Sequence, residues 1–244
     1  MKSFGSLFPR ARGALGATLG SGTEGRNLAS KDFGYGANWV PRDLAEARNQ
    51  IFSNPDPEAF EAAGRHDAEV ILGPLIQPTD TVLDLGCGIG RVARYVAPRC
   101  KEIWAVDASE TMLELAEERL AGLPNVRFAR SYDVSVPDLS DQSIDFAYSL
   151  LTLQHVEREH AFMLLREVRR ALRDGGVAYF TFPNLLSDQY LHDFLKYAET
   201  GEAQNQARAR FYTPQEVRRI LPPSGFAIRE LAADVEIVVT CDTA

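Results

Sequence analysis

Cysteine is scarce in this chain. Only three, Cys87, Cys100 and Cys241, occur in 244 residues. Odd in number and far apart, they exclude a disulfide framework and show no zinc-ligand spacing; a reducing, cytoplasmic location is expected. No apolar run reaches the roughly 18 residues of a membrane span, and no stretch has the apolar core of a secretion signal. A basic surplus is also lacking, with 26 Lys and Arg against 34 Asp and Glu and a net charge of −8. A sequence-independent grip on nucleic acid rests on such a surplus, so none is expected. No catalytic triad or metal-binding cluster can be read from the spacing of residues. What is present is ordinary for a globular protein, 45% hydrophobic and 25% charged. That is enough for one large α/β domain or two small ones.

Residues 1–30 are rich in Gly, Ala and Ser, with Lys2, Arg10 and Arg12 and no acid before Glu24. This composition suits a transit-type leader or a flexible tail; a tail is the expectation, ahead of a single domain over 31–244. Residues 31–78 open with aromatics, Phe33, Tyr35, Trp39 and Phe52. A helix is expected over Leu44–Phe52, broken by Asn54-Pro55-Asp56-Pro57, then a longer one over Pro57–Ile76.

The stretch Thr81–Gly90, TVLDLGCGIG, organises the rest. Val82, Leu83 and Leu85 form a short apolar run of strand length. Gly86, Gly88 and Gly90 follow at alternate positions, and Arg91–Ala97 has apolar residues at helical spacing. Strand, glycine turn and helix start is the arrangement of a nucleotide-cofactor site. Asp84, at the strand end, would repel a pyrophosphate and suits a cofactor presenting an ammonium group and a sulfonium. The competing pattern is Gly88-Ile89-Gly90-Arg91-Val92-Ala93, which fits the dinucleotide form G-x-G-x-x-A but starts two residues late.

Further strands are expected at Ile103–Val106, Val126–Ala129, Ile144–Ser149 and Val177–Phe182. Between them, helices are expected after Ser109, with Met112, Leu113, Leu115, Ala116 and Leu120 inward, and over Phe162–Leu172. The latter is stopped by Asp174-Gly175-Gly176. Such alternation implies a parallel sheet wound on both faces. Phe226–Leu231 and Val235–Thr240 have only Ala232–Asp234 between them, which permits a hairpin and no parallel crossover. The expected fold is a doubly wound, seven-stranded, mostly parallel α/β sheet with a C-terminal antiparallel hairpin strand.

The run Asp84-Leu85-Gly86-Cys87-Gly88-Ile89-Gly90 resembles the first motif of the class I S-adenosylmethionine-dependent methyltransferases, written D/E-x-G-x-G-x-G, at every position. The hairpin ending is similar to theirs, and the resemblance extends from roughly Asp80 to Gly225. It implies S-adenosylmethionine as cofactor. Asp84, Gly86, Cys87, Gly88 and Gly90 would then hold the methionine part. Asp107, at a strand end where a carboxylate can accept from both ribose hydroxyls, is joined by Ala108 and Met112. Tyr132, Asp133 and Val134 would surround the adenine, although the family often has Gly-Asp where this chain has Tyr132-Asp133. Ser149 and Leu150 would lie beside the reacting methyl. His155 is a candidate base for an acceptor hydroxyl or amine; it also suits a helix-start histidine bonded to backbone. His66, His160 and His192 carry no partner pattern.

Two segments are left for the acceptor. Residues 31–66 could close over the cofactor, with Arg65 reaching its carboxylate, or simply pack on the sheet. Residues 183–213 carry an amphipathic helix through Leu185, Leu186, Tyr190, Leu191, Phe194, Leu195 and Tyr197. Inserted at the ligand-facing edge, they suit an acceptor cap or a dimer contact. The resemblance implies methyl transfer to a small molecule, with oxygen, nitrogen, carbon and protein acceptors all open. A nicotinamide-dependent oxidoreductase and a non-catalytic cofactor-binding protein are the alternatives.

Overall fold

The run Val82–Leu85 takes the middle of the sheet because both of its faces are apolar enough to be covered, and all four residues are buried. The computed structural model describes residues 33–52, 56–132, 134–201 and 207–244. The expected tail over 1–30 and the adenine candidate Asp133 lie outside them. Strands β1 (Thr81–Leu85), β2 (Glu102–Asp107), β3 (Val126–Arg130), β4 (Ile144–Ser149) and β5 (Leu172–Pro183) are followed by β6 (Phe226–Ala233) and β7 (Glu236–Thr243). They form one sheet in the order β3-β2-β1-β4-β5-β7-β6. Neighbouring pairs among β1–β5 are parallel, whereas β7 runs antiparallel to both β5 and β6. Thus β7 alone is reversed, as the short link after β6 requires. The order turns back between β1 and β4, which opens a crevice at their C-terminal ends, the place where such sheets bind ligands.

Helices α1 (Leu44–Ile51), α2 (Pro57–His66), α3 (Ala93–Val96), α4 (Glu110–Leu120), α5 (Arg158–Ala171), α6 (Asp188–Thr200) and α7 (Pro214–Ile220) cover the sheet. One face, with Leu83, Leu85 and Ala147, packs on Leu164, Leu165 and Val168 of α5. The other, with Val82, Phe146 and Tyr148, packs on Ala68 and Leu72, Ala93 and Val96 of α3, and Leu113 and Leu120 of α4. The helix starts are capped as their sequences dictate. Ser109 Oγ accepts from Met112 N at 3.2 Å to start α4, and Thr213 and Glu216 form a reciprocal capping box on α7.

Four expected boundaries shift. The helix after the glycine turn is confined to Ala93–Val96 and tightens to a 3-10 turn over Ala97–Arg99, where Pro98 offers no N–H to an α-helix. The expected helix Pro57–Ile76 is α-helical to His66, widens to a π turn over Asp67–Leu72 and closes as 3-10 over Gly73–Leu75. Pro74 offers no N–H to continue the helical ladder. Helix α5 begins at Arg158, four residues early, because its polar first turn gives no apolar signal. Asp174-Gly175-Gly176 does not end a helix. It forms the irregular base of β5, which starts at Leu172, with Gly175 at φ 78 and a register shift against β4 between Ile144 and Phe146.

Candidate functional site

The three motif glycines all adopt the left-handed backbone, at φ 84 for Gly86, 54 for Gly88 and 73 for Gly90. Glycine takes that conformation at least cost. The turn they make is pinned to β2. Gly86 N and Cys87 N donate to Val106 O at 2.7 and 2.9 Å, and Gly88 N donates to Asp107 Oδ2 at 2.9 Å. The other oxygen of Asp107 accepts from Ser109 N, also at 2.9 Å, so one carboxylate joins the glycine turn to the start of α4. Burial raises its pKa against the pull of those N–H groups. The fit of Gly86 is closest: a Cβ there would overlap the Thr152 side chain, whose Oγ1 donates to Gly86 O at 3.3 Å.

Asp84 lies in the same crevice with 4% of its surface exposed. Burial pushes its carboxyl up to about 7, and the charge of Asp107 adds to the rise. Tyr148, its register partner on β4, lies close enough to lower that value, yet its buried hydroxyl falls short of any hydrogen bond. Cys87 is buried and its thiol is pushed well up by burial, then by Asp107 and Asp84, so it is an unreactive lining group. Ser149 is fully buried and ties the ends of β4 and β1 by donating to Leu85 O at 2.9 Å. Leu150 packs beside it. Leu151 follows at φ 59, a strained conformation for leucine of the kind that gathers at ligand sites. Its N–H donates to Thr181 Oγ1 at 3.0 Å.

Met112 is buried on α4 against Ile89 of the glycine turn, and Ala108 bridges β2 and α4. Beyond β3, Val134 is buried while Tyr132 is exposed, its ring under the Arg130 guanidinium at 5.4 Å. The structure therefore gathers Asp84, the glycines, Cys87, Asp107, Ala108, Met112, Ser149 and Leu150 at one edge, with Tyr132 and Val134 flanking it.

The N-terminal segment lies across this edge. Gly36 sits so close to the Ala108 carbonyl that a Cβ would overlap it, and Ser109 Oγ donates to Trp39 O. Ile51 of α1 rests over Gly88. Tyr35 and Phe33 reach the other side, where Tyr35 Oη bonds His160 Nδ1 at 2.7 Å and Phe33 stacks on that imidazole at 3.9 Å. Arg65 departs from expectation. It is exposed with its guanidinium over the Tyr95 ring at 5.2 Å, and the cation whose charge reaches Asp84 is Arg91, paired with Asp67 at 2.7 Å.

His155 is bonded at both ring nitrogens. Nδ1 donates to Ala207 O at 2.8 Å, and Nε2 accepts from Gln154 Nε2 at 3.1 Å. Trp39 stands edge-on to it at 4.8 Å. Burial pulls its pKa down to about 4, so it is neutral near pH 7 with no nitrogen left for an acceptor. The backbone-bonded arrangement, and not a base, is what the geometry favours. Thr152, Gly36 and Tyr148 were not visible as site residues in the sequence. The first two act through contacts far along the chain. Tyr148 reads as an ordinary strand position.

The fold and the paired strand-end carboxylates define a nucleoside-cofactor site of the doubly wound α/β class. A methyltransferase-domain family model matches residues 82–176. The chain is similar to an uncharacterized 37.1 kDa protein in transposon TN4556 of Streptomyces fradiae, at 34% identity over 157 residues, 62% of this chain and 44% of that one. It thus matches less than half the length of that relative. It is also similar to a ubiquinone biosynthesis O-methyltransferase of Idiomarina loihiensis, at 28% identity over 65% of this chain and 72% of that one. The solved structure of a SAM-dependent methyltransferase from Aquifex aeolicus superposes with a TM-score of 0.59 at 20% identity, covering 80% of this chain and 97% of that one. Residues 82–176 thus match the methyltransferase-domain family, and the sheet has the fold of the solved SAM-dependent methyltransferase.

Proposed function

We propose that this protein transfers a methyl group from S-adenosylmethionine to a small-molecule acceptor. The observation that carries the reading is the buried Asp84 carboxyl beside a turn whose glycines all have positive φ. A buried carboxylate needs a cation, and the ammonium of the methionine moiety is one. When bound, S-adenosylmethionine supplies an activated methyl on a positive sulfur, so the protein has chiefly to position and to exclude water. Asp84, Gly86, Cys87, Gly88 and Gly90 would hold the methionine part. Asp107 would accept from the ribose hydroxyls, with Ala108 and Met112 beside it, and Tyr132, Asp133 and Val134 would line the adenine. Ser149 and Leu150 would border the methyl. In this reading residues 31–78 form a lid and 183–213 an acceptor cap. Nothing supports the nicotinamide alternative, in which a pyrophosphate would face two carboxylates.

S-adenosylhomocysteine is expected to raise the melting temperature, whereas NAD and NADP are not. At a hundredfold excess over Kd the gain is about 2.7 kcal/mol. A scan in which only the dinucleotides stabilise would overturn the assignment.

Binding should also expel a proton. Asp84 has a folded-state pKa raised from 3.8 to about 7, so the ligand-free fold keeps a proton that the unfolded chain has lost, and its stability falls as pH rises between those values. A cationic partner favours the carboxylate, so the proton leaves on binding and affinity climbs with pH up to about 7, by at most about tenfold per unit. Calorimetry at pH 6 in two buffers of different ionisation enthalpy would read the released proton. Identical heats in both would remove Asp84 from the ammonium site.

A further inference from the structure

Asp84 and Tyr148 are register partners on β1 and β4, so their side chains rise side by side from one face of the sheet. That face is closed over both. Asp84 is 4% exposed and Tyr148 1%, and the tyrosine belongs to one packed cluster with Val82, Cys87, Val96 and Tyr179. Its hydroxyl is buried with no partner in hydrogen-bond geometry, although buried hydroxyls ordinarily have one. Close packing holds the ring, so the hydroxyl cannot turn to solvent. The polar group beside it is the Asp84 carboxyl, and each acts on the other. Burial, with the charge of Asp84, pushes the tyrosine's pKa well up, so it stays a donor. The other titratable groups acting on it, the Cys87 and Cys100 thiols, are held neutral by burial.

The remaining neighbours of Asp84 are already engaged. Arg91, whose charge favours the carboxylate, pairs with Asp67 at 2.7 Å. Asp107, whose charge opposes it, accepts from Gly88 N and Ser109 N. Among the described groups acting on Asp84, Tyr148 therefore holds the uncommitted donor. That donor distinguishes the two states of Asp84. A protonated carboxyl has a donor of its own and gains little. A carboxylate only accepts, and from Tyr148 it gains a charge-assisted bond.

We propose that Tyr148 is a positioning residue: its hydroxyl donates to one oxygen of the charged Asp84 carboxylate and so leaves the other for the ammonium of the cofactor. The assignment rests on the methyltransferase reading for the identity of that cation. The coupling of Tyr148 to Asp84 belongs to the free protein and can be measured without any ligand.

The test is Tyr148→Phe in the full chain, which removes the donor and keeps the ring. Asp84 is followed in the ligand-free protein by carboxyl-carbon NMR, and S-adenosylhomocysteine affinity by calorimetry, over about pH 5 to 9. The Asp84 midpoint, about 7 in the parent, should rise by about one unit in the variant. The protonated form favours the fold, so the ligand-free variant should hold its stability to higher pH than the parent. Affinity should fall about fivefold at pH 7 and converge with that of the parent by about pH 9. A packing defect would instead weaken binding equally at every pH and lower the melting temperature. An Asp84 midpoint that does not move, or a loss of affinity that is the same throughout the range, overturns the proposal. If the midpoint rises but S-adenosylhomocysteine binds neither protein, the coupling of Tyr148 to Asp84 stands and the cofactor reading fails.

Discussion

Replacing Asp107 with alanine is expected to raise the Kd for S-adenosylhomocysteine by roughly a hundredfold or more. Each of its oxygens already accepts one backbone N–H, from Gly88 and from Ser109. A carboxylate oxygen has a second acceptor site, and those two are what the ribose hydroxyls would use. Hydrogen bonds to a charged group contribute about 1.5–3 kcal/mol each, so losing two accounts for the hundredfold. The variant should also be less stable, because two backbone donors lose their acceptor. Asp107→Asn separates the effects, since its amide keeps one acceptor oxygen and turns an N–H donor toward a backbone donor. Calorimetry showing unchanged affinity in both variants would place the ribose elsewhere.

Gly86→Val should be the most disruptive single change in the turn. At φ 84 a branched side chain is strained, and its Cβ would overlap the Cβ, Oγ1 and Cγ2 of Thr152. Backbone strain of about 1–3 kcal/mol and overpacking of about 1–3 kcal/mol together take a large share of a typical stability of about 5–15 kcal/mol. The melting temperature is expected to fall by roughly 10 °C and cofactor binding to be lost. Adding Thr152→Gly removes the overlap but not the strain, so the double variant should recover about half of the loss. A Gly86→Val protein that melts normally and still binds S-adenosylhomocysteine would show that the turn does not have this shape.

The parts of this site that were legible in the sequence are those whose meaning is local. Asp84 and the alternate glycines lie within one strand and its turn. The link after β6 is too short for anything but a hairpin, so the reversal of β7 could be read without knowing what it pairs with. Residues whose role comes from distant contacts could not be read. Thr152 seals a turn 66 residues earlier in the chain, and Gly36 is fixed by the Ala108 carbonyl just past β2. The base of β5 misled for another reason. Asp174-Gly175-Gly176 has the composition of a stop, and only pairing along β4 makes it strand. His155 shows the same limit for chemistry: its residue type suits a base, but its tautomer is set by a carbonyl at Ala207.

The contact between the N-terminal segment and the end of β2 uses a glycine, a hydroxyl and two carbonyls: Gly36 on Ala108, and Ser109 on Trp39. The same Ala108 carbonyl accepts from Arg130 Nε at 3.3 Å, so one charged donor stands at its edge. If this segment must lift for the spent nucleoside to leave, turnover is paced by this latch. Its opening rate would then respond to temperature, and to added salt only through Arg130.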